Sequence, residues 1–171
     1  MSQNPLIAVG LLVLLGIGAI SACSKPTPRR DVIWGLETDP AVAAASALAL
    51  KTLPIFWRHF DAKAANTDEF YLKVPFKTQQ GGEEHMWVEP MTRASTEVIG
   101  RLMDEPEDVA GVKRGDQVRF PSDHISDWTY ARDGKSYGHF VTRVLMDRFA
   151  PKERKIAARQ LSATPLEAED Q

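Results

Sequence analysis

The sequence predicts an α+β domain, with an N-terminal helix, an antiparallel meander of about five short strands and a C-terminal helix. Two observations support this prediction. An alanine-rich stretch with high helix propensity covers residues 41–51. From residue 69 apolar and polar residues alternate, which is the period of a half-buried strand, and glycine-containing turns separate further short apolar segments.

The N-terminal helix is predicted to begin at Asp39-Pro40. Asp suits the N-cap, and Pro suits the first helical position because its missing N–H has no partner there. Pro54 would clash with the carbonyl group of Leu50 inside a continuous helix. We therefore expect the helix to break near Pro54 and to resume as far as Phe60.

The remaining elements are predicted from periodicity and turn signals. The predicted strands are residues 69–76, 85–89, 97–102, 117–120 and 125–131. Gly81-Gly82 and Asp133-Gly134 mark hairpin turns. Apolar residues at helical spacing predict the closing helix at residues 137–149. The rest of the chain, residues 151–171, is expected to be a mostly solvated polar tail.

The N-terminal part of the chain has the pattern of a lipid anchor. An apolar run at residues 6–22 leads into Ile20-Ser21-Ala22-Cys23, which resembles the lipobox of bacterial lipoproteins. The resemblance implies a diacylglycerol group on the Cys23 thiol and a fatty acyl chain, such as palmitate, on the new N-terminus. The predicted organisation is a signal peptide at 1–22, a tether at 23–38, a domain at 39–150 and the tail at 151–171.

An uncleaved membrane helix is the alternative. Residues 1–5 contain no Lys or Arg, whereas Lys25, Arg29 and Arg30 follow the apolar run, and positive flanks mark the cytoplasmic side of a membrane span. For the lipoprotein, Ser24 after the cysteine favours the outer membrane by resemblance to enterobacterial sorting. The expected location is the cell envelope, with the domain facing the periplasm.

Composition excludes several function classes. Cys23 is the only cysteine, so a lipidated chain has no disulfide, no thiol nucleophile and no thiolate metal site. The 21 basic and 23 acidic residues give a net charge of −2, which argues against nucleic acid as a partner. No P-loop, GxGxxG or GxSxG motif is present, so no cofactor is predicted.

Two polar groups are candidates for chemistry. His85, Trp87 and Glu89 alternate along one strand and share a face, where a histidine and a carboxylate could work as an acid–base pair. Asp127 follows His124 in the second group, but no nucleophile is marked and a structural turn explains the group as well. None of the four histidines has metal-ligand spacing, so no metal is predicted.

Five segments together resemble the YegJ-like family, a bacterial domain of unknown function that occurs alone, behind lipoprotein leaders and fused to other modules. They are residues 52–57, 70–74, 84–90, 111–118 and 125–130, followed by Gly134 and Gly138. The resemblance covers residues 43–146 and implies a small α+β fold. It supplies no activity, cofactor or catalytic residue.

Three functions are therefore open. The leading hypothesis is a non-enzymatic, membrane-anchored module that binds an envelope protein or peptide through exposed Trp87, Trp128 and Tyr130. The second is a small acid–base hydrolase that uses His85, Glu89, Asp127 and His124, if these side chains converge in one pocket. The third is an immunity-like inhibitor of a toxin.

Overall fold

The computed structural model describes residues 39–171, and the predictions about the signal peptide, the tether and Cys23 lie outside this range. Its helices are α1 (Pro40–Ala62), α2 (Phe140–Leu145) and α3 (Pro151–Gln160). Its strands are β1 (Thr67–Lys77), β2 (Glu83–Arg93), β3 (Glu97–Leu102), β4 (Gln117–Pro121), β5 (Asp127–Arg132) and β6 (Lys135–Gly138). The order confirms the predicted α+β class.

Helix α1 begins as predicted but runs through Pro54 without the expected break. Asp39 is its N-cap, and the carboxylate accepts a hydrogen bond from the Ala41 N–H at 2.8 Å. Contacts from outside the backbone ladder support the turn before the proline: the Trp128 indole N–H donates to the Ala49 carbonyl at 2.9 Å. This tertiary bond joins α1 to the sheet next to the proline, whereas the clash of Pro54 with the Leu50 carbonyl group predicts a break there.

Helix α1 is also long and apolar enough to cross a membrane. A core helix passes the same test, and one face of α1 is buried against the sheet. The buried residues of α1 are Ala45, Ala49, Thr52, Leu53, Phe56, Trp57 and His59. We therefore describe α1 as the core helix of the domain.

The sheet has six antiparallel strands in the order β4-β3-β2-β1-β5-β6, one more than the approximate number predicted. β1 to β4 form the expected meander, but β5 pairs with the other side of β1. Only five residues link β4 to β5. In a flat sheet the two strands would lie four strand spacings apart, which is ~19 Å. Because part of this link is the short 3₁₀ turn Ser122–His124, the sheet must curve to close the distance.

The concave, inner face of the sheet packs on α1 and holds the core. Met86 and Val88 of β2, Leu72 and Val74 of β1, and Trp128 of β5 are all at most 1% exposed. Alternation places the other residues of each strand on the opposite side, which we call the outer face.

The chain after β5 differs from the predicted single helix at residues 137–149. It forms β6, then α2, then the 3₁₀ turn Met146–Arg148. Gly138 ends β6 with φ 74°, and a Cβ atom there would lie 2.1 Å from the Trp128 carbonyl oxygen. Only glycine fits this approach, so the chain turns away from the sheet before a long helix can form.

The expectation of a solvated tail at residues 151–171 is wrong for its last part. The Ser162 N–H donates to the Ser136 carbonyl at 2.9 Å, and the Gly138 N–H donates to the Pro165 carbonyl at 2.8 Å, so residues 161–165 lie along β6. Arg143 supports this pairing, because its guanidinium group donates to the carbonyls of Gly138 at 2.8 Å and Ser162 at 3.0 Å.

Candidate functional site

The predicted acid–base residues of β2 lie on the same side of the strand, as the sequence indicated. Met86 and Val88 are fully buried on the inner face, so His85, Trp87 and Glu89 share the outer face of β2. Four residues of a strand span ~13 Å, so His85 and Glu89 are too far apart for a direct hydrogen bond. Glu89 instead lies opposite Arg101 of β3.

His85 contacts a serine rather than a carboxylate of the predicted set. Its Nδ1 atom is 2.9 Å from the Ser126 hydroxyl oxygen. Its Nε2 atom is 3.9 Å from Oε2 of Glu83. The other carboxylate oxygen of Glu83, Oε1, accepts a hydrogen bond from Lys77 at 2.6 Å. The Lys77 bond is the main reason that the pKa of the Glu83 carboxyl group lies below its usual value.

Asp127 has a structural role in this arrangement. Its carboxylate is fully buried and accepts hydrogen bonds from three backbone N–H groups, those of Trp128 at 2.9 Å and of Phe140 and Val141 at 3.0 Å. Burial raises its pKa to about 6, although Lys73 and the three hydrogen bonds act in the opposite direction. These bonds fix the start of α2 to β5, so Asp127 is not available as an acid–base partner of His85.

His124 lies in the exposed 3₁₀ turn between β4 and β5. It lines a shallow groove of about 360 Å³ together with Glu83, Ser126 and the apolar residues Leu50 and Pro75. Neither Glu89 nor Asp127 reaches this groove. The four residues predicted for acid–base chemistry therefore do not converge in one pocket.

Trp87 is partly buried and belongs to a small group on the outer face. The Lys73 ammonium group lies 5.1 Å from the centre of the Trp87 ring, which is a cation–π contact. The His139 ring packs edge-on against Trp87, with 5.3 Å between ring centres. We call Lys73, Trp87 and His139 the outer-face group.

His139 is an uncharged member of this group. Burial lowers its pKa to about 3, and the positive charges of Lys73 and Arg143 act in the same direction. Its backbone has φ 54°, a left-handed conformation that is uncommon for a residue other than glycine. An imidazole ring is thus held neutral beside the indole ring of Trp87.

The other two aromatic candidates do not lie on the surface. Trp128 and Tyr130 have no exposed area and stack on one another with 5.9 Å between ring centres. Residues two apart in a strand share a face, and for this pair the face is the inner one. Of the three aromatic residues predicted to form the binding surface, only Trp87 is therefore accessible to a partner.

A second group of ionisable side chains was not predicted from the sequence. We call it the C-terminal cluster: His59, Tyr130, Arg132, Glu167 and Asp170. The Tyr130 hydroxyl donates to Glu167 at 2.6 Å, and Arg132 forms an ion pair with the same carboxylate. His59 Nε2 lies 2.8 Å from Asp170, so the end of the chain is held against α1 and β5.

The protons in the C-terminal cluster can be assigned from its donors. Arg132 donates to His59 Nδ1 at 3.0 Å, so the imidazole proton is on Nε2 and is donated to Asp170. Burial, assisted by Arg132 and Arg58, lowers the pKa of His59, which agrees with a neutral ring. Arg58 also forms an ion pair with Asp170.

The side-chain types in the C-terminal cluster also occur in metal sites. Possible ligand atoms of His59, Glu167 and Asp170 all lie within 4.8 Å of one another. However, Arg58 and Arg132 balance the two carboxylates, and the Nε2 atom that a cation would need carries a proton. The arrangement is therefore an ion-pair network that does not fit a cation.

Comparisons with known proteins agree with the resemblance found in the sequence. The profile of a family described as an uncharacterized protein conserved in bacteria (DUF2314) matches residues 39–162. The chain is 33% identical over 143 residues to the uncharacterized protein YegJ of Escherichia coli K12, covering 84% of this chain and 91% of that protein.

A second relative is a putative ankyrin repeat protein of Neisseria meningitidis serogroup B, 32% identical over 132 residues. The match covers 72% of this chain but only 52% of that protein, so the chain spans about half of its length. No solved structure matches. With most of its described residues inside the family match, the chain belongs to the DUF2314 family of bacterial proteins, whose function is uncharacterized.

Proposed function

We propose that this protein is a lipid-anchored component of the bacterial envelope, and that its domain binds a protein or peptide partner without catalysing a reaction. The anchor is supported by Ile20-Ser21-Ala22-Cys23 at the end of the apolar run. Several acyl chains hold a protein to a bilayer firmly, so no membrane-spanning helix is needed.

The outer-face group is the observation that carries the binding role. Phe56, Trp57 and Trp128 are buried in the core, whereas Trp87 remains partly exposed on the outer face, between a lysine and a neutral histidine. Tryptophan is enriched among the residues that dominate protein interfaces, because a large, rigid ring gains contact area at small entropic cost. The proposed contact is therefore centred on Trp87.

The absence of a converging acid–base pair favours binding over catalysis. Asp127 is committed to α2, and Glu89 is ~13 Å along the strand from His85. A partner that lies across β2 and β3 would meet Trp87 together with the Glu89–Arg101 pair, which lies opposite in the register.

The anchor is tested by Cys23→Ser in cells fed a fatty-acid analogue. We expect wild-type protein and the control Ser24→Ala to incorporate the label and to partition into the detergent phase, and Cys23→Ser to do neither. Unchanged membrane association of Cys23→Ser, with residues 1–22 still attached, would replace the lipid anchor by an uncleaved helix.

The binding role is tested by in-cell crosslinking, identification of the crosslinked protein and titration of that purified protein against the chain. We expect Trp87→Ala to weaken the affinity at least ~10-fold, since truncating a central interface aromatic costs ~2 kcal/mol. Leu48→Ala, on the exposed side of α1, serves as the control and should leave the affinity unchanged. Equal affinities of folded Trp87→Ala and wild type would exclude the outer-face group as the contact.

One distance supports a hydrolase as the second candidate. The 2.9 Å contact between Ser126 and His85 is the separation of a serine nucleophile and its base, and Glu83 lies on the other side of the imidazole. Labelling by a fluorophosphonate that is lost in Ser126→Ala and kept in Ser122→Ala would establish this function. The binding proposal predicts no labelling of either variant or of wild type.

A further inference from the structure

The side of α1 that faces away from the sheet carries no charged residue over its first three turns. Between Asp39 and Lys51 the chain has no charged residue. Leu48 is 45% exposed and Leu50 is 39% exposed. The exposed residues from the start of α1 to Pro54, here called the α1 face, are Pro40, Ala41, Ala43, Ala44, Ala47, Leu48, Leu50, Lys51 and Pro54.

This composition is unusual for a helix on a protein surface. The solvent side of such a helix normally carries charged and polar residues, and a helix that is apolar all around is normally buried all around. The opposite side of α1 is covered by the sheet, whereas the α1 face is exposed. Only its edge at Ala47 and Leu50 borders other parts of the domain, in the shallow groove that also contains His124. Val144 of the neighbouring α2 is exposed as well, at 39%.

We infer that the α1 face rests on the lipid surface to which the chain is anchored. This inference rests on the proposed function, because it requires acylated Cys23. The chain itself indicates the bilayer as the occupant: α1 begins at Pro40, and only residues 24–38 separate Asp39 from the anchoring cysteine. A chain of 15 residues spans at most ~50 Å, and a random coil of that length ~20 Å, so the N-terminal end of α1 stays near the bilayer.

The charge distribution along α1 agrees with a helix that lies in the plane of the membrane. The apolar residues are in the half next to the anchor, Lys51 follows them, and Arg58 and Asp61 occur only in the second half. A lysine at this position can extend its ammonium group to the lipid headgroups. Alanines and two half-exposed leucines bind lipid weakly, but the anchor raises the effective concentration of the face, so a weak contact is sufficient to orient the domain.

The single cysteine allows a direct measurement. In the full chain produced in bacteria, acylation blocks Cys23, so Ala47→Cys introduces a unique thiol on the α1 face. Arg119→Cys introduces a matched exposed thiol on the outer face of β4. Both proteins are labelled with an environment-sensitive dye and reconstituted into vesicles of phosphatidylethanolamine and phosphatidylglycerol, with or without lipids that carry a quencher on the acyl chain.

The expected result is a blue-shifted dye at position 47 that the quencher-bearing lipid quenches several-fold more strongly than the dye at position 119. Equal quenching at the two positions, with one dye per chain, would overturn the membrane contact while the anchor stands. A blue-shifted dye at position 47 that lipid does not quench would also overturn it, in favour of a protein partner or a second copy. Two dyes per chain would show that Cys23 is not acylated and would overturn the anchor and the contact together.

A charge inserted into the face provides a second test. With the dye on Ala44→Cys, Leu50→Glu should remove most of the quenching, because a carboxylate on this face opposes contact with the acyl region. Gln117→Glu adds the same charge on β4 and should leave the quenching unchanged. Equal quenching in both variants, with unchanged circular dichroism, would contradict the inference.

Discussion

Ionisable side chains gather in two regions of this domain, and the two regions handle charge differently. In the C-terminal cluster, His59 and Asp170 are 111 residues apart in sequence and 2.8 Å apart in space, and charges of both signs are buried together. On the outer face, His85 and Glu89 come from one strand, yet each has a different neighbour. The comparison shows that buried, opposite charges can serve to fix a chain end, and that proximity in sequence is a poor guide to a shared site.

The largest change in stability is expected when the C-terminal cluster loses the Glu167 carboxylate. Glu167→Ala leaves the Tyr130 hydroxyl without its acceptor and Arg132 without its main carboxylate, so we expect a loss of ~3 kcal/mol or more in the free energy of unfolding. Glu169→Ala is the matched control: its side chain is 67% exposed, and its contact with Arg132 should be worth less than ~1 kcal/mol. Urea unfolding of both variants measures the difference, and equal losses would contradict a buried network.

Asp127→Ala tests whether the buried Asp127 carboxylate has a structural role. Three backbone N–H groups lose their acceptor, so we expect a loss of ~2–3 kcal/mol and weaker helical circular dichroism. Asp123→Ala, in the exposed 3₁₀ turn, should change the stability by less than ~0.5 kcal/mol. A stable Asp127→Ala variant that loses partner binding would assign Asp127 to the binding surface instead.

The pH dependence of stability distinguishes His139 from Asp127. His139 has a folded pKa of about 3 against 6.5 for the unfolded chain, so its contribution is complete above pH 6.5 and is lost as the pH falls towards 3. Asp127 has a folded pKa of about 6 against 3.8, so its stabilising contribution is present below pH 3.8 and is lost as the pH rises through 6. Between pH 6 and pH 3.8, a change of pH therefore alters the contributions of His139 and Asp127 to the free energy of unfolding in opposite directions.

The His139→Asn substitution removes the contribution of His139 to this pH dependence. It keeps a side chain that tolerates the left-handed backbone. On acidification from pH 6.5 to pH 5, we expect the variant to lose ~1–2 kcal/mol less stability than wild type. Urea unfolding across this range gives the profile, and His124→Asn controls for the loss of an exposed imidazole. Parallel profiles of wild type and His139→Asn would mean that His139 is not held neutral.

The smallest effect is expected for His85. Its contact with Ser126 is exposed to water, so His85→Ala should change the free energy of unfolding by less than ~0.5 kcal/mol. Thermal unfolding with Ser122→Ala as a reference measures this value. A loss of ~2 kcal/mol would show that the outer face depends on a network as strongly as the C-terminal cluster does.

The alternation of residue types predicted much of the sheet. Phe70, Leu72 and Val74 defined a strand by their period, and the bounds predicted for β3 agree with Glu97–Leu102. Asp133-Gly134 predicted the hairpin that joins β5 to β6. These features are local, so a short window of sequence contains the information that determines them.

The candidate site depended on contacts that no short window contains. Alternation put Trp128 and Tyr130 on one face, but only the position of α1 made that face the buried one. Pro54 predicted a break, yet the surrounding packing keeps α1 continuous through the proline. The acidic residues near the C-terminus lie in the segment predicted to be a solvated polar tail, and nothing in their spacing indicates Arg132 or His59 as partners.

Residues 161–165 along β6 have a consequence for how copies of this domain could associate. They cover one edge of the sheet, and within residues 39–171 only β4 leaves an edge strand uncovered. Pairing between sheets of two molecules could therefore proceed through β4 alone and would end with two subunits. A growing fibril needs two uncovered edges on every molecule, so this chain end protects the folded protein against polymerisation through its strands.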